Sequence, residues 1–465
     1  MKKCLLPLFA VLAFCGGMLS CGGSGAAGAA KDSDSVQSHP LPDTLRVVTL
    51  YSPTSYFIYR DEPMGYDYSL VSTLAAEKGM KLEIEVAPSL AAAVDMLEDG
   101  RADLLASRVP VTDEYVRRVR HCGPEISTSQ VLVQRRTPGD SLVKDVTQLP
   151  GRTVWVEGRS KYEQRMNHLN QELGGEIDVR SVSPDSLITE DLVDMVSDKK
   201  ISLTVVDSDI ARLDKTYYPD LDITLELSFR QNARWAVAKH KAWLADSVDV
   251  WLGGEYPRRE NDILLRRYFE ISKNMPNALT YRCDHGHMSV YDDIFRKYAA
   301  RLGWDWRMLG AICYVESRFD PSVVSWAGAK GIMQIMPSTG RLYGVTPAQM
   351  TDPETSVATA VKILEVLDKS YAKSVPDKAE RMKFILAAYN SGPGHINDAI
   401  ALARKYNHNP SVWYGHVADC LLLKSHAEYY NDPVCRNGYF RGRQTIEYVD
   451  QVMAFYNRAI KSVKK

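Results

Sequence analysis

The periodicity of the chain changes near Ser289, and that change restricts the possible folds more than any other feature. Upstream, short β-branched runs alternate with helical segments. The expected strands are Leu45–Leu50, Lys81–Val86, Ala102–Ala106, Val131–Gln134, Thr153–Val156, Ile177–Val182 and Leu203–Val206. The helices between them are Tyr68–Lys78, Leu90–Glu98, Tyr162–Leu173 and Leu187–Val196. Such alternation predicts an α/β domain with a mostly parallel sheet, which binds ligands at the carboxyl ends of its strands. Downstream, apolar residues recur only at helical spacing, in Tyr291–Leu302, Trp306–Ser317, Ser356–Leu367, Arg381–Asn390, His395–Lys405, Val412–Leu423 and Thr445–Arg458. This predicts an all-α domain. A length of 465 residues fits two to three domains. The expected division is an α/β domain at 44–272, a linker at 273–288 and an all-α domain at 289–465. Tyr256-Pro257-Arg258 and Asn274-Met275-Pro276-Asn277 make Glu255 to Met288 read as a turn-rich boundary.

The N-terminus reads as an export signal. Lys2 and Lys3 precede an apolar run, Leu5–Leu19, too short for a comfortable membrane span. Met18-Leu19-Ser20-Cys21 resembles a bacterial lipobox, with residues 1–21 as the signal and Cys21 as the lipidated residue. A soluble secreted protein cut near Ala30 is the alternative. Residues 22–43 are rich in Gly, Ala, Ser and Asp and read as a flexible tether. Gly22 and Gly23 follow Cys21, with no inner-membrane retention aspartate. In a two-membrane bacterium this implies a lipid anchor in the outer membrane, facing the periplasm.

An exported chain can keep disulfides. Cys420 and Cys435 flank one loop and are the most plausible pair, although connectivity is not readable from sequence. Cys313 reads as a small core residue. Cys283-Asp284-His285-Gly286-His287 has no partner cluster to complete a four-ligand zinc site, so no metal and no cofactor are expected. A net charge of -1 provides no electrostatic case for nucleic acid.

The α/β region resembles the bilobed periplasmic solute-binding proteins for amino acids and similar solutes. The matching pieces are Gly65-Tyr66-Asp67-Tyr68, Leu97-Glu98-Asp99-Gly100-Arg101-Ala102-Asp103, Val111-Thr112-Asp113-Glu114 and Leu149-Pro150-Gly151-Arg152-Thr153-Val154. In that family an arginine after Thr-Asp-Glu grips the ligand carboxylate. Tyr115 stands there in this chain, which argues against ordinary amino-acid binding. The ligand candidates are Tyr115 itself, Arg108, Ser160 and Asp207. Ser160 opens a helix, either as a plain N-cap or as part of an anion site. Asp207 ends a strand where the family often places an acid, with a solvated loop acid as the alternative.

In the all-α region an apolar run ends at one acid, Glu316, before the helix-stopping Asp320-Pro321. Partial desolvation there favours the neutral carboxyl and raises its pKa, which suits proton transfer near neutral pH. Asp320 reads as a turn or capping acid. The motifs Glu316-Ser317, Gly328-Ala329-Lys330-Gly331, Met333-Gln334-Ile335-Met336-Pro337 and Ala387-Ala388-Tyr389-Asn390-Ser391-Gly392-Pro393-Gly394 resemble the soluble-type lytic murein transglycosylases, of goose-type-lysozyme-like fold. With the upstream domain and the lipobox, the layout resembles the membrane-bound lytic murein transglycosylases. The resemblance implies Glu316 as the single catalytic acid and base. It implies substrate contacts at Ser325, Gln334, Tyr389, Asn390 and Tyr448. The implied reaction cleaves the MurNAc–GlcNAc bond without water, leaving 1,6-anhydro ends. A same-fold hydrolase, or a receptor whose helical domain only binds murein, are the competing readings. The implied partners are glycan strands, the membrane through the lipid anchor, and a murein-derived peptide at the α/β domain. Gln444 stands where the family commonly has an acid.

Overall fold

The computed structural model describes residues 40–139, 141–183, 187–273 and 286–464. Cys21, the tether up to residue 39, and Cys283, Asp284 and His285 lie outside them. No helix among the described residues is long and apolar enough to cross a membrane.

The strands run β1 (Thr44–Thr49), β2 (Phe57–Tyr59), β3 (Glu62–Met64), β4 (Lys81–Val86), β5 (Leu104–Pro110), β6 (Val119–Thr128), β7 (Gln130–Arg135), β8 (Thr153–Glu157), β9 (Asp178–Val182), β10 (Thr204–Asp207), β11 (Leu221–Asp222) and β12 (Gln231–Ala238). They form two five-stranded sheets, β4-β1-β5-β12-β6 and β11-β7-β10-β8-β9, plus the hairpin β2–β3. In the first sheet β4, β1 and β5 are parallel, while β12 runs antiparallel to β5 and β6. In the second, β10, β8 and β9 are parallel and β7 is antiparallel to β10. The chain leaves the first sheet at Ser129, builds the second, and returns into β12. Two crossings of this kind make two lobes around one hinge, the expected α/β body. The inner parallel strands β1, β5 and β10 carry mostly buried apolar residues, as expected where both faces of a sheet are covered, whereas the edge strands β4 and β9 alternate with exposed charged residues.

The turn-rich reading of Glu255 to Met288 needs correction. Glu255–Phe269 is a regular helix. Pro257 sits in its first turn, where a missing N–H costs no hydrogen bond. The hairpin, β6, β12 and the helix Ala242–Leu252 were also absent from the sequence reading.

From Asp292 onward the chain is helical, with an apolar core around one central helix, Trp306–Ser317. Every residue from Trp306 to Val315 is buried. Asp305 caps the start by accepting from Arg307 N at 3.0 Å. Tyr314 stacks on Phe455 of the long helix Arg443–Ser462, with ring centroids 4.6 Å apart. The helix stops because Arg318 and Phe319 take left-handed φ values of 54° and 68°, before Pro321 could clash with it. The expected Val412–Leu423 helix is kinked, with Gly415 at φ 75°. Cys420 and Cys435 are free thiols, not a disulfide. Cys420 is packed in the helical core, whereas Cys435 lies half-buried beside Lys424 and Asp398.

Candidate active site

Glu316 lies in the last turn of the central helix, with its side chain 6% exposed. Burial raises its pKa above the ordinary glutamate value, against the opposing pull of Arg60 and the Tyr448 hydroxyl. The negative end of the helix acts in the same direction as burial. Glu316 borders a cavity of about 310 Å³. Ser325, Gln334, Asn390, Tyr448, Trp326 and Lys273 also line it, and among the described residues Glu316 is the only Asp or Glu in the lining. Asp320 lies outside the cavity, capping Ser322 N at 2.8 Å.

The residues expected around Glu316 are brought together, each with a particular role. Tyr389 is buried, and its hydroxyl donates to Met333 O at 2.7 Å. It thereby ties the Glu316 side of the groove to the Gly331–Met336 loop. Gln334 has φ 48° and spends its amide N–H groups on Val323 O (3.0 Å) and Gly331 O (2.8 Å). Its part is to close the loop that forms one cavity wall. Ser325 Oγ accepts from Ala329 N at 3.0 Å, a turn bond that leaves the residue on the cavity wall. Asn390 Oδ1 accepts from Thr445 Oγ1 at 2.9 Å, clamping two helices beneath the groove. Tyr448 is fully buried with its hydroxyl facing the Glu316 carboxyl. Gln444 donates to Lys273 O at 3.2 Å. Burial pushes the Lys273 amine down to about 7.

The residue that sequence reasoning missed is Arg60, at the tip of the β2–β3 hairpin. Its Nη2 donates to Glu316 Oε2 at 3.1 Å and Oε1 at 3.2 Å. Nη1 donates to Gln334 O at 2.6 Å and Nε to Asn390 O at 2.9 Å. Its backbone N donates to Ser391 O at 3.0 Å. Arg60 and Asp61 have φ 50° and 59°, the two left-handed residues of a two-residue hairpin turn, where Asn and Gly are normally found. Holding arginine there is costly, and the contacts with the groove offset that cost. Gly392 makes room for the tip: at φ 91°, a Cβ on it would lie 2.8 Å from Asp61 N. His395 Nε2 donates to Ile58 O at 2.9 Å, while its Nδ1 accepts from the buried Lys424 at 3.1 Å. Lys424 in turn pairs with Asp398.

The second lobe grips the helical domain independently. Arg441 pairs with Asp194 and Asp214, each at 2.6 Å, and Tyr439 donates to Glu190 at 2.8 Å. His426 pairs with Asp191 at 3.0 Å, and Arg443 pairs with Asp198. Burial raises the Glu190 carboxyl to about 7.

Residues 293–412 match the Transglycosylase SLT domain, and residues 45–271 match the bacterial extracellular solute-binding proteins, family 3. Over 417 residues, 88% of each chain, the sequence is 30% identical to membrane-bound lytic murein transglycosylase F of Desulfosudis oleivorans (strain DSM 6200 / JCM 39069 / Hxd3). The chain belongs to the membrane-bound lytic murein transglycosylase F family. The family member from Aeromonas salmonicida (strain A449) is 32% identical over 418 residues, covering 89% of this chain and 81% of its own. Among solved structures, substrate binding domain 2 of Lactococcus lactis GlnP, in its open conformation, is similar to half the chain. It covers 50% of this chain and 97% of that one, at 19% identity and a TM-score of 0.43.

Within the family's α/β domain, the sequence candidates scatter. Arg108, at the end of β5, reaches the cleft between the lobes and pairs with Asp209. Tyr115 instead packs against the core of the first lobe. Ser160 is the N-cap of Lys161–Glu172, accepting from Glu163 N at 3.2 Å. Asp207 pairs with Lys161 at 2.5 Å.

Proposed function

We propose that this protein is a lytic transglycosylase that cleaves the MurNAc–GlcNAc β-1,4 bond of murein without water, leaving 1,6-anhydromuramoyl ends. The supporting observation is the single carboxyl group among the described residues of the cavity wall. Hydrolytic glycosidases generally use two carboxylates around the scissile bond. One suffices when the substrate's own C6 hydroxyl is the nucleophile. Glu316, its pKa raised by burial, donates its proton to the glycosidic oxygen. As carboxylate it then accepts the C6 hydroxyl proton, and the alkoxide oxygen closes on the anomeric carbon. Tyr448 faces the carboxyl through both steps. Proton transfer of this kind is worth about 10²–10⁴-fold. Digestion of murein sacculi followed by mass spectrometry tests the reading. Anhydromuropeptides support it, and products heavier by one water identify a hydrolase instead.

The Arg60 hairpin makes the described state a resting one. A guanidinium on Glu316 favours the carboxylate, the wrong form for the first step, and the hairpin fills the groove where a glycan must lie. Activity then requires the hairpin to withdraw. The α/β domain governs that withdrawal by sensing a murein-derived peptide, whose differential affinity for the two arrangements shifts the balance. Cys21 carries a lipid that anchors the protein in the outer membrane, facing the periplasm.

A further inference from the structure

We infer that Trp326 is the glycan-stacking platform of the groove, the indole on which a sugar ring next to the scissile bond lies once the hairpin has withdrawn. This deepens the function proposed above and rests on its reading of the hairpin-bound state as a resting one.

Trp326 follows Ser325 in the turn 324–330 and lines the same cavity as Glu316. The turn is rigid. Val324 and Lys330 bridge its ends, Ser325 N donates to Ala329 O at 2.9 Å, and Gly328 N donates to Ser325 O at 2.9 Å. Arg267 of the helix Glu255–Phe269 clamps the same turn, with Nε donating to Trp326 O at 2.9 Å and Nη2 to Ala327 O at 2.8 Å. The ring is also steadied from outside the hairpin. Tyr268 meets it at 66° with centroids 6.3 Å apart, and Lys273 Nζ lies 4.9 Å from its centroid. A group fixed before its ligand arrives pays little ordering cost on binding.

Exposure singles this residue out. The helical domain contributes four aromatic side chains to the cavity lining, Trp326, Tyr439, Phe440 and Tyr448. Tyr439, Phe440 and Tyr448 are buried, whereas Trp326 is half-buried. A sugar ring in a β-1,4-linked chain carries its polar substituents around the rim and leaves its axial C–H groups as an apolar face. That face matches the broad apolar face of an indole.

The hairpin shows what the groove takes. Tyr59 and Arg60 are consecutive. Arg60 sits on the Glu316 carboxyl at 3.1 Å, and the Tyr59 ring lies 5.2 Å from the Trp326 ring at 45°. Phe57 adds a second ring at 6.5 Å. A polar group beside the acid and a ring beside the indole is the arrangement of a glycosidic linkage and its attached sugar. Withdrawal of the hairpin therefore uncovers the acid and the platform in one movement.

Trp326→Ala, Trp326→Met and Trp326→Phe, each made in the full chain carrying Arg60→Ala, test this. KM and kcat are measured on soluble glycan strands, and retention on sacculi is measured after adding Glu316→Gln to stop cleavage. Ala and Met should each raise KM and weaken retention about tenfold, the loss expected of an aromatic contact. Their kcat should stay within about threefold, because stacking holds ground state and transition state alike. Phe should stay within about threefold of the parent in both readouts. Met fills the volume without a ring, so a loss seen with Ala and absent with Met is a packing defect and overturns the inference. Unchanged KM and retention in all three variants also overturn it. In that case Trp326 only joins the first lobe to the helical domain, and Trp326→Ala should speed basal cleavage in the chain with Arg60 intact. The same digests separate the claims. Hydrated ends, or an Arg60→Ala rate no higher than wild type, count against the function proposed above, while the KM comparison alone decides the role of Trp326.

Discussion

Glu316 and Arg60 define the chemistry at the scale of single residues. A general acid must be protonated, so the rate falls as pH rises through its pKa. Burial raises that pKa, and Arg60 opposes the rise. Glu316→Gln should therefore lower cleavage by about 10²–10⁴-fold while circular dichroism remains unchanged. Arg60→Ala should raise the basal rate. It should also move the descending limb of the pH–rate profile to higher pH, because the group that favours the carboxylate is gone. The Glu316 setting was legible in the sequence because its parts lie in short motifs: an apolar helix, a helix stop, and Gly-rich turns. Arg60 was not. It reaches Glu316 across a sequence separation of 256 residues, and its own turn lacks the Asn-Gly signature that announces a hairpin.

Among elements, the hairpin and its seat carry the account. The tip is held by groove carbonyls and by the His395–Lys424–Asp398 chain beneath it, while its own turn stores strain in two left-handed non-glycine residues. Replacing Arg60 with Asn and Asp61 with Gly gives that turn its preferred residues. The double variant relieves the turn strain but loses the guanidinium contacts that offset it, so it should loosen the hairpin, leave thermal stability equal to or below that of wild type, and release anhydromuropeptides faster. Faster release with an unchanged melting temperature would place the effect in the ion pair alone. Most regular elements were readable because strand–helix alternation and helical spacing are local. The Glu255–Phe269 helix was hidden by a proline whose effect depends on its position in the turn. The β6 and β12 strands escaped because their partners lie far apart in the chain, Val119–Thr128 beside Gln231–Ala238, and only the assembled sheet shows them pairing.

For the whole molecule, both lobes contact the helical domain, but through different groups. The first lobe contributes the hairpin and Arg267, which donates to Trp326 O at 2.9 Å. The second is held by Arg441 between Asp194 and the buried Asp214. A change in the hinge angle between the lobes would then strain one attachment, the route by which the ligand proposed for the α/β domain would act on the hairpin. Arg441→Met leaves buried carboxylates unpaired, a change that costs about 3–5 kcal/mol in comparable pairs. It should enlarge the molecule in X-ray scattering and raise basal cleavage.

The most direct measurement is the rate and mass of products released from purified sacculi by wild type, Arg60→Ala and Glu316→Gln side by side. The account predicts 1,6-anhydromuropeptides from wild type, more of them from Arg60→Ala, and none above background from Glu316→Gln. Hydrated muramic ends, or an Arg60→Ala rate at or below wild type, would contradict it.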